Sequence, residues 1–276
     1  MTVFTTPEPI TATLTTAGAH VRIAASERPD TVVRVEPVNS ASKSDVKVAE
    51  QTEVAFAEGR LTIKTNKPGA KNGSVAITVE LPAGSALVLE TAWTDVHADG
   101  RLGACELDLA SGRVRLGHAD ALRGRLSSGE VEVGHVAATA ELDGGTAGVR
   151  IGEIGGALRY TGAAGDVWLG HARSDVGFTG SGGSFTVDRA DGGVVAEAAH
   201  CPIRIGRMTS GRADLTNAAG GIEIGIAEGS TASVDADSTK GAVRNSVPEH
   251  AGEATDQVKV RARTRLGDIV IHRADA

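Results

Sequence analysis

The sequence predicts an all-β fold, a single-stranded β-helix or β-solenoid that we expect to be right-handed, with coils of about 18 residues. One observation is a seven-residue pattern that recurs as GRVRLGH, GEVEVGH and GDVWLGH. A second is that glycine supplies 36 of the 276 residues and aromatic residues only 3%, which favours many turns around a narrow interior. The third is a Gly or Asp that returns every 17 to 19 residues, at Asp99, Gly117, Gly134, Gly152, Gly170, Asp188, Gly206 and Gly225.

Residues 1–90 are predicted to be an N-terminal β region that caps the solenoid. Their apolar residues alternate as in strands, but the spacing is irregular and turn signals such as EGR and KPGAKNG interrupt it. The stretches predicted as strands are AHVRIAAS, TVVRVEP, DVKVAE, TEVAFAE, RLTIKT and GSVAITVELP.

Residues 91–276 are predicted to form the repeats of the solenoid. Apolar residues stand one and three positions before each recurring Gly or Asp, which is the period of a strand with one buried face. A unit of about 18 residues is too short for a helical crossover or for a propeller blade of about 40 residues. We therefore expect one coil per repeat, with strands stacked about 4.8 Å apart. One interior column is predicted to contain Leu116, Val133, Ile151, Leu169, Val187, Ile205 and Ile224.

The recurring Gly or Asp is predicted to mark a corner with left-handed backbone, because both residue types tolerate a positive φ. Near the C-terminus GAVRNS interrupts the pattern, PEHAGEATD (248–256) is predicted as a loop, and QVKVRARTRLGDIVIH resumes the pattern. We expect these last strands to close the edge of the solenoid. The chain would then be a monomer or small homo-oligomer that associates once residues 258–276 are deleted.

Composition narrows the classes of function. The net charge is −7, with 28 basic and 35 acidic residues, and no basic block interleaves with aromatic residues, so we predict no binding of nucleic acid. The first twenty residues contain neither a basic segment nor a continuous apolar one, and no later run reaches the roughly 18 apolar residues of a membrane span. The expectation is a cytoplasmic protein without membrane insertion.

The residues that directly follow the corners form the strongest candidate cluster for metal binding. Stacking would place His118 and His135 about 5 Å apart. Glu153 is the only carboxylate of this column, however, and a catalytic zinc ion needs about three protein ligands. A solvated polar ladder is therefore favoured, and no metal or cofactor is predicted. The column comprises His118, His135, Glu153, His171, Arg189 and Arg207.

Two carboxylates are the candidates for catalysis. Glu130 and Asp166 would lie two coils apart, about 9.6 Å between backbones, which overlaps the spacing in inverting glycosidases. No aromatic platform or basic cluster surrounds them, and a general acid needs surroundings that raise its pKa. We therefore predict no catalytic residues. The stretch TGSGGSF lacks the Lys of a phosphate-binding loop, so its glycines are interpreted as turns.

A neighbouring outward column alternates in charge, which indicates ion pairs that fix the register of adjacent coils. Trp168 interrupts this ladder, and we expect it to be exposed, either as an ordinary surface aromatic or as a contact patch. The two cysteines, Cys105 and Cys201, belong to coils too far apart for a disulfide. The column reads Arg115, Glu132, Arg150, Trp168, Thr186, Arg204 and Glu223.

The motifs VRVEP, ELPAGS, GDV, SGEV, GAVRN and VRARTRLGDIVIHR together resemble those of the bacterial, especially actinobacterial, adhesin-like β-strand-repeat proteins of unknown function. The resemblance covers nearly the whole chain. The chain departs from the pattern where His follows the corner in GRVRLGH and GEVEVGH, and where STASVDAD lacks an aromatic residue. The resemblance implies a β-helix-like solenoid with an adhesin-like role, and it carries no catalytic residues.

The sequence therefore favours a non-enzymatic β-solenoid that serves as a scaffold or as a binding surface for an unknown protein or glycan. One alternative is a β-helix protein that binds or cleaves polysaccharides. Another is a self-assembling, bactofilin-like filament subunit.

Overall fold

A computed structural model describes residues 1–65, 73–247 and 257–274. These residues fall into two compact units, Met1–Ala137 and Ala138–Ala276, which we call unit 1 and unit 2. Most of the turn KPGAKNG and all of the loop PEHAGEATD lie outside the described residues. Each unit is built from short strands stacked mainly in parallel, so the all-β solenoid predicted from the sequence is confirmed. The expected right-handedness stays a prediction.

Unit 1 contains eleven described strands and one helix. The helix, α1, spans Lys43–Gln51. The strands are β1 (Thr2–Thr5), β2 (Thr11–Ala17), β3 (Ala19–Ser26), β4 (Asp30–Pro37), β5 (Glu53–Ala57), β6 (Arg60–Lys64), β7 (Val75–Pro82), β8 (Ala86–Ala92), β9 (Thr94–Leu109), β10 (Gly112–Leu126) and β11 (Glu130–Val136).

Two parallel ladders form unit 1. One runs β6, β2, β8, β9, β10, and the other runs β7, β3, β9, β10, β11. β9 and β10 belong to both because they continue round a corner. The β2–β3 coil lies between the β6–β7 coil and the β8–β9 coil, so stacking order differs from chain order. Residue 90, where the sequence predicts the end of the cap, lies inside β8.

Antiparallel strands cover the N-terminal edge of unit 1. β4 pairs with β7, β1 pairs with β4, and β5 pairs with β6. The prediction of a strand at DVKVAE is wrong, because this stretch lies in α1. The Ser42 side chain caps the helix by accepting the N–H of Asp45, and an acidic residue in the first turn favours the helix dipole. The capping signal outweighs the strand-like alternation of the valines.

Unit 2 contains fourteen described strands. They are β12 (Ala140–Gly144), β13 (Gly148–Ile154), β14 (Leu158–Gly162), β15 (Val167–Ala172), β16 (Val176–Gly180), β17 (Phe185–Ala190), β18 (Val194–His200), β19 (Ile203–Met208), β20 (Gly211–Ala219), β21 (Ile222–Ile226), β22 (Thr231–Ser238), β23 (Val243–Asn245), β24 (Gln257–Leu266) and β25 (Ile269–Arg273).

The two ladders of unit 2 run β12, β14, β16, β18, β20, β24, β22 and β13, β15, β17, β19, β21, β25, β23. The prediction that the last strands close the edge is wrong, because β24 lies between β20 and β22. The reason is burial. The inner face of β24–β25 is buried and apolar except for Thr264, whereas all of β23 is exposed. The polar β22–β23 coil takes the edge, and the apolar coil is covered on both sides.

The predicted interior column is confirmed within each unit. Leu116 pairs with Val133 in unit 1, and every member of the column is at most 3% exposed. Burial of such a side chain contributes roughly 1.5–3 kcal/mol. In unit 2 the column runs in register through Ile151, Leu169, Val187, Ile205 and Ile224.

The prediction of left-handed corners at the recurring Gly is wrong. Positive φ occurs instead at the glycine that opens the repeated pattern, at Gly112 (120°) and Gly129 (102°). At the corners Gly134, Gly170, Gly206 and Gly225 the neighbouring coil leaves no room for a Cβ, whereas Gly117 has room for one. A Cβ on Gly134 would lie 2.6 Å from the Gly117 carbonyl oxygen, and one on Gly170 would lie 2.4 Å from that of Gly152. Close stacking of backbones, rather than a left-handed backbone conformation, therefore explains Gly134 and Gly170.

Candidate ligand-binding groove

A groove of about 750 Å³ lies on the outer face of β7, β3, β9 and β10 in unit 1. Its floor is formed by strands that alternate between buried apolar and outward polar side chains. Charged and imidazole side chains therefore line it, at His20, Arg22, Glu80, Asp95, His97, Asp99, Arg113 and Arg115. The sequence did not predict this site, because it depends on the pairing of β3 with β9, about 75 residues later.

Three basic side chains occupy one row across the groove. Arg22 is in register with His97, and His97 is in register with Arg115. Neighbouring strands lie about 4.8 Å apart, so the backbones of the two arginines are about 9.6 Å apart. The Arg115 Nε atom is 3.0 Å from the Glu132 carboxylate. Arg22 has no ion-pair partner in the part of the chain that the structure describes.

The carboxylates of the groove each have a basic neighbour. Asp99 lies 3.0 Å from the His97 Nε2 atom, and Asp95 lies 3.7 Å from the His20 Nδ1 atom. Glu80 is held by the guanidinium of Arg28, whose own pKa is raised by hydrogen bonds to Asp30 and Glu80. Arg22 is thus the uncompensated charge in the row, and an anionic group could accept hydrogen bonds from it.

The structure brings together two of the predicted histidines. The His118 and His135 rings stack with centroids 4.6 Å apart. The His118 Nε2 atom is 3.7 Å from the Asp120 carboxylate, which also accepts a hydrogen bond from Arg101. Among residues 1–65, 73–247 and 257–274, no three His, Cys, Asp or Glu side chains are grouped to hold a metal ion.

His171, in unit 2, belongs to a different cluster. Its Nε2 atom lies 2.6 Å from the Asp191 carboxylate, which also accepts hydrogen bonds from Arg189 Nε and Thr209 Oγ1, both at 3.0 Å. Burial raises the pKa of Asp191, but the hydrogen bonds from His171, Arg189 and Thr209 outweigh it and hold this pKa below its ordinary value. This partly buried cluster ties neighbouring coils of unit 2 together.

The two candidate catalytic carboxylates are held by neighbouring side chains. Glu130, in unit 1, lies 2.9 Å from the Arg113 Nε atom. Asp166, in unit 2, accepts a hydrogen bond of 2.7 Å from the Ser184 hydroxyl. Both therefore contact side chains of the adjacent strand, the role that the sequence predicts for the neighbouring outward column of alternating charge.

The expected exposure of Trp168 is wrong. Trp168 is partly buried because the Arg150 guanidinium lies 5.9 Å above its ring and its Nε1 atom donates a hydrogen bond to Asp188. The exposed tryptophan is Trp93, which is 72% exposed and has a φ of 48°. Sequence reasoning missed it, since nothing in the local pattern marks a left-handed residue there.

The cysteines are free and buried in separate units. Burial raises the pKa of the Cys105 thiol to about 12 and that of Cys201 to about 11. Both thiols are therefore protonated at neutral pH and unreactive as nucleophiles. In the described segments, no helix is long and apolar enough to cross a membrane.

No family model and no curated protein match the chain. Solved structures do. A candidate adhesin from Parabacteroides distasonis ATCC 8503 is 12% identical and has a TM-score of 0.45, with 98% of this chain and 95% of that chain covered. A candidate adhesin from Parabacteroides merdae ATCC 43184 is 9% identical and has a TM-score of 0.42, with 99% of this chain and 95% of that chain covered.

A third, from Bacteroides fragilis NCTC 9343, is 10% identical with a TM-score of 0.30 and covers 98% of this chain and 95% of that chain. These organisms give no support to the actinobacterial part of the resemblance noted in the sequence.

Proposed function

We propose that the chain is a non-enzymatic, adhesin-like binding protein whose groove in unit 1 holds an anionic group of a glycan or protein. The observation that carries this proposal is the exposed guanidinium of Arg22. It lies in a groove lined by charged side chains, and it has no ion-pair partner among the described residues. Arg113 and Arg115, in contrast, already have carboxylate neighbours.

The row of Arg22, His97 and Arg115 suits a planar or tetrahedral anion. A carboxylate or sulfate placed above His97 lies between two guanidinium groups, and arginine binds such groups through paired N–H donors. The β-sheet fixes both arginine backbones, so little of the site needs to be ordered on binding. The ligand class is therefore an acidic polymer rather than a neutral one.

We expect the protein to bind polygalacturonate and not dextran at this groove. Arg22→Gln should weaken binding about tenfold, since a hydrogen bond to a charged group contributes roughly 1.5–3 kcal/mol and 1.4 kcal/mol is a factor of ten. Isothermal titration calorimetry measures this. Arg125→Gln is the matched control, because Arg125 is exposed in the same unit but does not line the groove. Equal affinity of the two variants would contradict the proposal.

The non-enzymatic part of the proposal rests on the hydrogen bonds and ion pairs that engage Glu130 and Asp166. Incubation with a panel of polysaccharides tests it. Turnover that is lost in Glu130→Gln or Asp166→Asn would replace this proposal with a polysaccharide-cleaving enzyme. A cytoplasmic location also stays part of the proposal, and fractionation of native cells checks it.

A further inference from the structure

Trp93 holds a backbone conformation that a bulky side chain disfavours. Its φ is 48°, in the left-handed region, at the turn between β8 and β9. In the adjacent coil Ala17 is in register with Ala92, and the residue that follows it is Gly18, with a φ of 70°. The same turn is therefore made by glycine in one coil and by tryptophan in the next. Strain of this kind persists where the side chain has a use.

The fold makes little use of the indole. The backbone N–H of Trp93 donates to the Ser111 hydroxyl at 3.1 Å. The ring itself has no aromatic or cation–π partner in the described part of the chain, and the residue is 72% exposed. A glycine would satisfy the backbone equally well, so the indole is available for a ligand.

A pocket of about 270 Å³ adjoins this turn and includes Ala92, the residue before Trp93. Glu90 and Asp108, which line it, are in register on adjacent strands, and Thr15 donates a hydrogen bond of 3.0 Å to Glu90. Thr91 also lines the pocket, is only 5% exposed, and its hydroxyl has no hydrogen-bond partner among the described residues. The Thr91 side chain faces the interior, so Glu90, Asp108 and Thr15 supply the polar groups that a ligand in this pocket can reach.

We propose that Trp93 and this pocket form a binding site for a neutral saccharide. The face of an indole packs on the apolar C–H face of a sugar ring, and the carboxylates of Glu90 and Asp108 accept hydrogen bonds from its hydroxyls. The two carboxylates repel acidic sugars. A protein partner is disfavoured because interface cores are clusters of apolar residues, whereas Trp93 is a single aromatic residue among hydroxyls and carboxylates.

This site is independent of the groove. It takes a neutral ligand, whereas the groove is proposed to take an anion, and its residues differ from those that line the groove. Arg22→Gln should therefore leave it unchanged. The two proposals can fail separately.

Fluorescence provides the test, because the chain has two tryptophans and Trp168→Phe leaves Trp93 as the only one. We expect a saturable change in emission, and protection from acrylamide, with at least one of maltohexaose, cellohexaose, xylohexaose and mannohexaose, and no such change with polygalacturonate. Glu90→Gln and Asp108→Asn should weaken binding at least fivefold. Arg125→Gln is again the control.

Trp93→Gly is the second test, read out by retention on the immobilised sugar. This variant should lose binding at least tenfold and yet melt at a temperature equal to or higher than that of the unmodified chain, since it removes the strain. Lower stability of Trp93→Gly would contradict the strain argument. No saturable signal with any of the four sugars, or a stronger signal with oligolysine, would overturn the saccharide site.

Discussion

At the scale of single residues, Asp191 shows how one partly buried carboxylate organises several side chains. His171, Arg189 and Thr209 all direct hydrogen-bond donors to it. Sequence reasoning placed His171 in a solvated ladder but could not find Asp191, since the two are 20 positions apart and meet only through coil stacking.

We predict that the stabilisation by Asp191 depends on pH. Its pKa is lower in the folded chain than in the unfolded chain, so the stabilisation is complete above the unfolded value and is lost as the pH falls through the folded value. Asp191→Asn should lower the melting temperature at pH 7. The difference in melting temperature between this variant and the unmodified chain should become smaller below about pH 4. Asp237→Asn, at an exposed position of unit 2, is the control. A difference that does not vary with pH would contradict this.

The corner glycines allow a matched comparison. A Cβ on Gly134 would lie 2.6 Å from a carbonyl oxygen, whereas one on Gly117 would lie 3.6 Å from the nearest atom. We expect Gly134→Ala to reduce the free energy of unfolding by about 1–3 kcal/mol. Gly117→Ala should be neutral or slightly stabilising, because its φ is not positive and alanine restricts the unfolded chain. Urea denaturation measures both, and equal losses would refute the close-stacking explanation.

At the scale of elements, each unit contains a coil inserted out of chain order. β2–β3 lies between coils that follow it in the sequence, and β24–β25 lies between coils that precede it. Both inserted coils have apolar inner faces that stay buried on two sides. Deleting residues 258–276 would therefore remove an interior layer of unit 2, not a cap.

Two valines distinguish an interior coil from an edge coil. Val260 on β24 is 3% exposed and lies between β20 and β22, whereas Val243 on β23 is 43% exposed. We predict that Val260→Asp destabilises by more than about 3 kcal/mol, because it buries an unpaired charge, and that Val243→Asp stays within about 0.5 kcal/mol. Thermal unfolding followed by circular dichroism measures both. The reverse order of stabilities would restore the C-terminal strands as the edge.

At the scale of the whole molecule, the described edges discourage self-assembly. Antiparallel β1, β4 and β5 cover one end of unit 1, and the exposed β23 at the edge of unit 2 carries Arg244 and Asn245. An edge strand that is polar, or that is covered by antiparallel strands, does not readily pair with another chain. We therefore predict a monomer or small oligomer whose sedimentation coefficient is constant as concentration rises. Concentration-dependent growth into long polymers would favour the filament alternative.

The sequence by itself determined the β-solenoid, the coil length and the residues that point inward, such as Leu116 and Leu169. These depend on a period of two along each strand and on the spacing of turns, and both are local properties of the chain. The helix α1 is the exception, because its Ser42 cap competes with an alternating pattern of valines.

The tertiary structure decided which coils are neighbours, and with that the positions of the candidate sites. Coils with similar apolar inner faces fit over one another in several orders, so their patterns do not specify the stacking. The order follows from the burial of whole coils, which leaves the polar β22–β23 at an edge. The groove needs β3 beside β9, a contact between segments about 75 residues apart. The positive φ of Trp93 belongs to a turn that stacks on the Gly18 turn, which is equally distant in the sequence.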